Sequence, residues 1–501
     1  MTEDGMRPHN HIAVVGTGFG GLAAAIRLQR AGFRDFVLLD RAADIGGVWR
    51  DNNYPGAAVD VQCQLYSFSF APNPEWRNLF AKQSEIWDYL RAITVRFGLL
   101  PRLILNCAVE RLDWDPAQQR WRMQTALGER TANHIVIATG ALADPNIPAI
   151  AGLDRFAGTQ FHSARWNHDF DPTDKRIAVI GTGASAVQFI PALQPVAAHM
   201  TVFQRTPAWV LPRHDREITT RKQAVFKALQ LLQGLQRLRI YLMRERLLIG
   251  FRHPSLLGAA ERQARNHLET QVNNPALRAK LTPDYRLGCK RVVISDDYLR
   301  ALDQPNLTVI TDSIRAVDED GIIDATGTHH RVDAIIFGTG FQTSRLPLTD
   351  HIHGTTGLTL AQAWDGNPTA YLGTTVAGFP NCYLIHGPNI GLGHTSMIHM
   401  YESQANYIAA AISYARAHRV AALEPSASAQ KAFTAEVDRL STGTVWTTGG
   451  CKSWYLNDQG RNTNLWPAST FSYRRRTRRF NPDHHVLHRH RAPTPITPGA
   501  H

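Results

Sequence analysis

Two glycine loops carry the plainest chemistry in this chain: Gly16-Thr-Gly18-Phe-Gly-Gly21 and, 165 residues later, Gly181-Thr-Gly183-Ala-Ser-Ala186. In each, the first glycine permits a tight turn and the second lets the backbone approach a pyrophosphate. The third small residue lets the following helix pack close, and that helix offers unpaired N–H groups to the phosphates. One such loop means that some dinucleotide binds; two imply two dinucleotides, and so electron transfer between bound cofactors. The residues behind the loops tell them apart. Asp40 follows Gly21 by 19 residues, where an acid meets ribose hydroxyls. Arg205 follows Gly183 by 22 residues, where a carboxylate would repel a 2′-phosphate and a guanidinium can grip it. Thr206 adds a hydroxyl donor. The first loop is therefore read as an FAD site and the second as an NADPH site.

Other residues could act on what these loops hold. Gly46-Gly47-Val-Trp49 places paired glycines beside an indole, which lets a flat ring approach closely. The Tyr54-Pro55-Gly56 turn then presents Asp60. On composition alone, Asp60 is as readily a cap or turn former. Gly288-Cys-Lys290-Arg291 reads equally as a pair of solvated cations at a strand start.

The elements that must position these groups follow from periodicity. His11–Val15 is an apolar strand entering the first loop, 22–31 reads as a helix, and Phe36–Leu39 is a second strand ending in Asp40. The pattern restarts with strand 176–180, a helix to about Leu193 and strand 200–203. The expected fold is α/β with two Rossmann-like dinucleotide-binding domains, the second inserted in the first, plus a helical segment. The expected division is an FAD-binding part over 1–154, an NADPH-binding domain over 155–332 with a helical insert at 215–285, the second FAD-binding part over 333–480, and a basic, disordered tail over 481–501. Strand 333–337 ends in Gly338-Thr-Gly340, similar to Ala138-Thr-Gly140, and is expected to return the chain to the first domain. Leu235, Leu238, Leu242 and Ile249 share helical spacing, interleaved with Arg237, Arg239, Arg244 and Arg246. Such a stripe can lie on a membrane; the expectation is a packed helix with a solvated face.

Composition bounds the rest. With 501 residues, 44% hydrophobic and 19% charged, the chain is an ordinary globular protein of several domains. Half of the net charge of +12 lies beyond Tyr473, in seven arginines against one aspartate. That tail is expected to be solvated or to pair with acidic surface, and not to bind nucleic acid. Five scattered cysteines without a Cys-x-x-Cys pair argue against a disulfide framework, a zinc site or a dithiol reductase, and no metal is expected. The early first strand leaves no room for a signal peptide, and no uncharged run reaches the ~18 residues of a membrane span. A cytoplasmic protein without stable membrane insertion is expected; oligomeric state is not readable.

A resemblance sharpens this. Gly46, Gly47, Trp49, Tyr54, Pro55, Gly56 and Asp60 match the longer fingerprint of the FAD- and NADPH-dependent (type I) Baeyer–Villiger monooxygenases, class B flavoprotein monooxygenases. Phe156, Gly158, His162 and Trp166 match that family's shorter signature, between the two nucleotide domains, except that Asn167 stands where Pro or Asp is usual. The similarity runs from about residue 10 to 480. It implies that Gly47 and Trp49 line the flavin and that Lys290 joins Arg205 and Thr206 at the 2′-phosphate. It implies that Arg291 stabilises the negative charge of a flavin C4a-peroxide while Asp60 holds that guanidinium, and that Trp454 contacts NADP. His386 is read as structural. The implied reaction uses NADPH and O2 to insert one oxygen beside a ketone carbonyl, giving an ester or lactone. The alternatives are oxidation of sulfur or nitrogen by the same oxygen adduct, and an NADPH oxidase or redox-partner flavoprotein.

Overall fold

The computed structural model describes residues 8–343 and 346–490. Its first sheet has eight strands among the described residues. Their order is Ile352–His353, Val109–Asp115, Arg120–Thr125, Gly128–Ile137, His9–Val15, Phe36–Leu39, Leu103–Ile104, with Cys382–Leu384 beside the far half of Gly128–Ile137. The apolar run at His9–Val15 is central because both its faces are covered, as its nearly unbroken hydrophobicity requires. Helix Phe19–Arg30 packs between this sheet and the long helix Met397–His418, joining Leu22 and Ile26 to Ile408 and Ile412 in one core.

The second sheet is entirely parallel, in the order Leu307–Ile310, His199–Phe203, Arg176–Ile180, Ala334–Phe337, Thr159–His162. This corrects the expectation for strand 333–337. It pairs with Arg176–Ile180 and Thr159–His162 and completes the second sheet; the chain rejoins the first sheet only at Ile352–His353 and Cys382–Leu384. The likeness between the two Thr-Gly turns is real but has another cause. A side chain at Gly16 would strike the Ala138 carbonyl, and one at Gly181 would strike the Gly338 carbonyl. Each glycine loop is thus seated against the strand end that neighbours it in its own sheet.

Three further expectations change. Strand His485–Arg489 pairs antiparallel with Val420–Pro425, so the tail is ordered as far as residue 490; the Pro-Thr-Pro segment lies outside the described residues. Backbone pairing and the Tyr407–His485 hydrogen bond supply this order. Arg476 in helix Thr470–Thr477 pairs with Glu436. In the long helix Gln230–Arg252 of the insert, the expected packing is inverted. Leu235, Leu238, Leu242 and Ile249 face solvent, whereas Arg237 and Arg244 turn inward. Arg237 gives hydrogen bonds to the Gln64 and Ser67 carbonyls, which no leucine could satisfy. Finally, Cys289 and Cys451 form a disulfide across 162 residues, a pairing that spacing alone cannot reveal, while Cys63, Cys107 and Cys382 are buried free thiols.

Candidate functional site

Each glycine loop ends in a helix that starts bare. Helix Phe19–Arg30 has Gly18 at its N-cap, no side-chain cap and no acid in its first turn. Helix Ala184–Leu193 begins the same way at Gly183. Their first amides are left for an outside acceptor, as a dinucleotide phosphate would be. A side chain at Gly21 would overlap the Gly16 carbonyl, so only glycine lets the first helix come this close. Ala186 is fully buried, and the tight spot lies opposite it: a Cβ on Gly338 would sit 3.1 Å from the Ala186 methyl. Gly47 adopts φ +55° with its Cα side against Gly18, bringing the second glycine pair onto the first loop. Trp49 follows, its indole N–H donating to the Tyr66 hydroxyl at 3.0 Å.

Asp40 ends its strand almost fully buried. Its carboxylate accepts from the Thr17 amide at 2.9 Å, the Thr17 hydroxyl at 2.5 Å and the Ala42 amide at 3.0 Å, and it faces Arg50 at 3.4 Å. The acid therefore also ties the first loop to its sheet, a role that spacing did not suggest. On the second unit, Arg205 is exposed and lies close enough to Lys290 for its charge to be felt. Burial and the Arg205 charge both push the Lys290 ammonium below its usual range. No ion pair of Arg205 occurs among the described residues. Two cations held close to one another suit a phosphate. Thr206 is adjacent, its carbonyl accepting from the Thr182 hydroxyl at 3.4 Å.

Asp60 and Arg291, 231 residues apart, meet. The guanidinium donates through Nε at 3.0 Å and Nη2 at 2.5 Å, both to Asp60 Oδ2. The pair remains open to a ligand: 39% of the Arg291 side chain and 26% of that of Asp60 are exposed. Burial works to raise the Asp60 pKa, but the Arg291 and Arg244 charges outweigh it and hold the carboxyl below its usual range. The Asp60 charge pushes Arg291 upward in turn. Arg244, from the inward face of the long helix, donates to the Asp60 carbonyl at 3.3 Å and to Gln62 at 3.0 Å. Tyr455 adds a buried hydroxyl with no hydrogen-bond partner among the described residues, raised to about 12 by burial and lowered in part by Arg291.

The fingerprints turn out to be a clamp. Gln188, on the second nucleotide helix, accepts from the Tyr54 hydroxyl at 3.1 Å and the Ala58 amide at 3.3 Å, and donates to the Ala58 carbonyl at 2.9 Å. Gly56 has φ +82° and presses on the Gln188 carbonyl, leaving no space for a Cβ. Tyr54 also meets Trp166, with ring centroids 6.4 Å apart, and both pack on Phe189. The longer and shorter fingerprints therefore touch across the two units. Thr159–His162 is an edge strand of the second sheet rather than a free linker. A side chain at Gly158 would collide with Phe156 and the Asp333 carbonyl.

Known proteins resemble this chain over nearly its whole length. Residues 9–355 match the flavin-binding monooxygenase-like family. A Baeyer–Villiger monooxygenase of Streptomyces coelicolor is 48% identical over 94% of this chain and 92% of its own. Another, of Pseudomonas aeruginosa, is 44% identical over 94% and 90%. The chain belongs to the flavin-binding monooxygenase-like family, in its Baeyer–Villiger branch. The solved structure of cyclohexanone monooxygenase from Rhodococcus sp. Phi1, bound to NADP⁺, superposes with a TM-score of 0.85 at 27% identity, covering 96% of this chain and 99% of that one.

As a member of that family the protein is an FAD- and NADPH-dependent monooxygenase. Trp454 is 44% exposed beside the disulfide that ties Cys451 to Cys289, the residue before Lys290. One covalent link thus ties the Lys290–Arg291 segment to the Trp454 segment. His386 is half-buried and bonded to the Tyr401 hydroxyl at 2.8 Å, and desolvation lowers it to about 4. Arg244, Tyr66 and Gln188 escaped sequence reasoning. Arg244 was visible as a helix cation, but its inward aim was not.

Proposed function

We propose that this chain converts a ketone and O2 into an ester or lactone at the expense of NADPH, with the Asp60–Arg291 pair at the centre of the site. FAD would be held along Gly16, Gly18, Gly21, Gly47, Trp49 and Asp40, and when bound would supply the redox chemistry that links NADPH to O2. NADPH would be held at Gly181, Gly183 and Ala186, with Arg205, Thr206 and Lys290 at its 2′-phosphate and Trp454 as a further contact. The chain divides into an FAD-binding part to about residue 154, an inserted NADPH-binding unit that runs through Phe337, and a second FAD-binding part beyond. NADPH is regenerated in the cytoplasm, which is where we place the enzyme.

Arg291 supplies a fixed positive charge next to developing oxyanions, in a partly enclosed site where such charge counts most. Asp60 aims that guanidinium and does not compete for a proton, because its own pKa is held low. Arg244 fixes the backbone of Asp60 from behind. The carrying observation is the Asp60–Arg291 contact itself: an ion pair joining the two nucleotide units, with the guanidinium still accessible. Arg291→Ala tests it. NADPH should still reduce the flavin, while ester formation falls by about 10²–10³ and hydrogen peroxide accumulates. A normal ester yield would remove Arg291 from the chemistry.

A further inference from the structure

The long helix Gln230–Arg252 carries its leucines outward. Leu231, Leu235, Leu238, Leu242 and Ile249 keep 50–76% of their surface in solvent. Spaced at i, i+4, i+7, i+11 and i+18, they form one straight stripe roughly 27 Å long at 1.5 Å per residue. An apolar row of this length is not a scatter of single exposed side chains and marks a contact surface. Beside it run Arg239, Arg246 and Arg252, all exposed. The sole acid between residues 220 and 260 is Glu245, and it is turned inward, accepting from the Thr470 hydroxyl at 2.7 Å. The face that this helix presents is therefore apolar and cationic, with no exposed acid of its own.

We propose that this face docks flat on an anionic lipid surface. The inference does not depend on the reaction, since binding is read without turnover. Leucines enter the headgroup boundary while the arginines meet lipid phosphates, which is the arrangement an interfacial helix requires. The face is unsuited to a second copy of itself. A two-fold contact of this helix with itself would gather Arg239, Arg246 and Arg252 of both copies in one seam, with no exposed acid on the helix to answer them. No helix among the described residues is long and apolar enough to cross a bilayer, so the contact lies on the surface. The opposite side of the same helix carries Arg244 to Asp60. An apolar substrate dissolved in lipid would thus leave it about one helix diameter, roughly 10 Å, from the ion pair.

The test is flotation of the intact, flavin-loaded protein with vesicles of phosphatidylcholine and phosphatidylglycerol, against vesicles of phosphatidylcholine alone. The protein should float with the anionic vesicles, and added salt should release it. R239A with R246A should weaken partition by about thirty-fold, and L235S with L242S should abolish it. All four positions are exposed, so the circular dichroism and melting of these variants should match the parent. Failure to float with anionic vesicles, equal flotation on phosphatidylcholine alone, or retention undiminished by either double variant would overturn the proposal. So would a dimer in sedimentation equilibrium that both variants dissociate, since the stripe would then belong to a second copy.

Discussion

Gly56→Ala asks whether the longer fingerprint acts as a clamp or merely as a turn. Gly56 sits at φ +82°, where alanine costs about 1–2 kcal/mol. A Cβ there would overlap the Gln188 carbonyl oxygen and lie 3.2 Å from its carbon. The obstacle is backbone within helix Ala184–Leu193, so no side chain can swing aside. Overpacking of this kind adds about 1–3 kcal/mol. The cheapest relief is for the turn to withdraw by roughly 1 Å, restoring an ordinary contact distance. Withdrawal breaks the Tyr54–Gln188 and Ala58–Gln188 hydrogen bonds, and Asp60 lies only four residues further on. Its contacts to Arg291, at 2.5 and 3.0 Å, do not survive such a shift. A misplacement of about 1 Å costs roughly 10²-fold in rate. The assay is ester formed per NADPH consumed, with hydrogen peroxide measured alongside and thermal melting as a second readout. The variant should reduce its flavin nearly normally, lose most of its ester yield and melt lower. Gly98→Ala is the control: it has φ +62° with nothing within 4 Å, so only the backbone cost should remain. If Gly56→Ala couples as well as Gly98→Ala, the clamp is refuted.

Arg205→Ala removes one of two cations facing each other and should lower the ratio of NADPH to NADH kcat/KM by about 10- to 100-fold; an unchanged ratio would move the phosphate site elsewhere. Thiol titration in denaturant should find the three free cysteines without reductant and all five after reduction, and five in both conditions would break the Cys289–Cys451 assignment. Asp60 titrates below 3.8, so its stabilisation is present above that value and is lost as pH falls through the lowered pKa. Arg291 is pushed above the usual guanidinium range by Asp60, so its share is present at all lower pH and is lost only as pH rises through the raised pKa. A stopped-flow profile of oxygen transfer should therefore show no step from this pair at neutral pH, and one that vanishes in Asp60→Asn would contradict the argument.

Local chemistry was legible because it depends on residue type at short range. A glycine loop between strand and helix, an acid after one second strand and an arginine after the other are all contained within about 25 residues each. The fingerprint resemblance extended that reading to Asp60 and Arg291. Strand 333–337 was misplaced because a buried parallel strand reads alike in either sheet; only its neighbours Ile177–Ile180 and Thr159–His162 distinguish them. The tail to residue 490 was misread because pairing with Val420–Pro425 is non-local.

By itself the sequence supplied two glycine loops with an acid behind one and an arginine behind the other, and the family resemblance added the expectation that Asp60 and Arg291 work together. Tertiary structure decided what joins them. Asp60 reaches Arg291 because Gly56 and Tyr54 lock onto Gln188, a residue in no motif. It also decided which way the insert helix faces. Helical periodicity fixes which side chains share a face but not the direction of that face, and here backbone carbonyls of the 60–67 loop claimed the arginines and left the leucines outside.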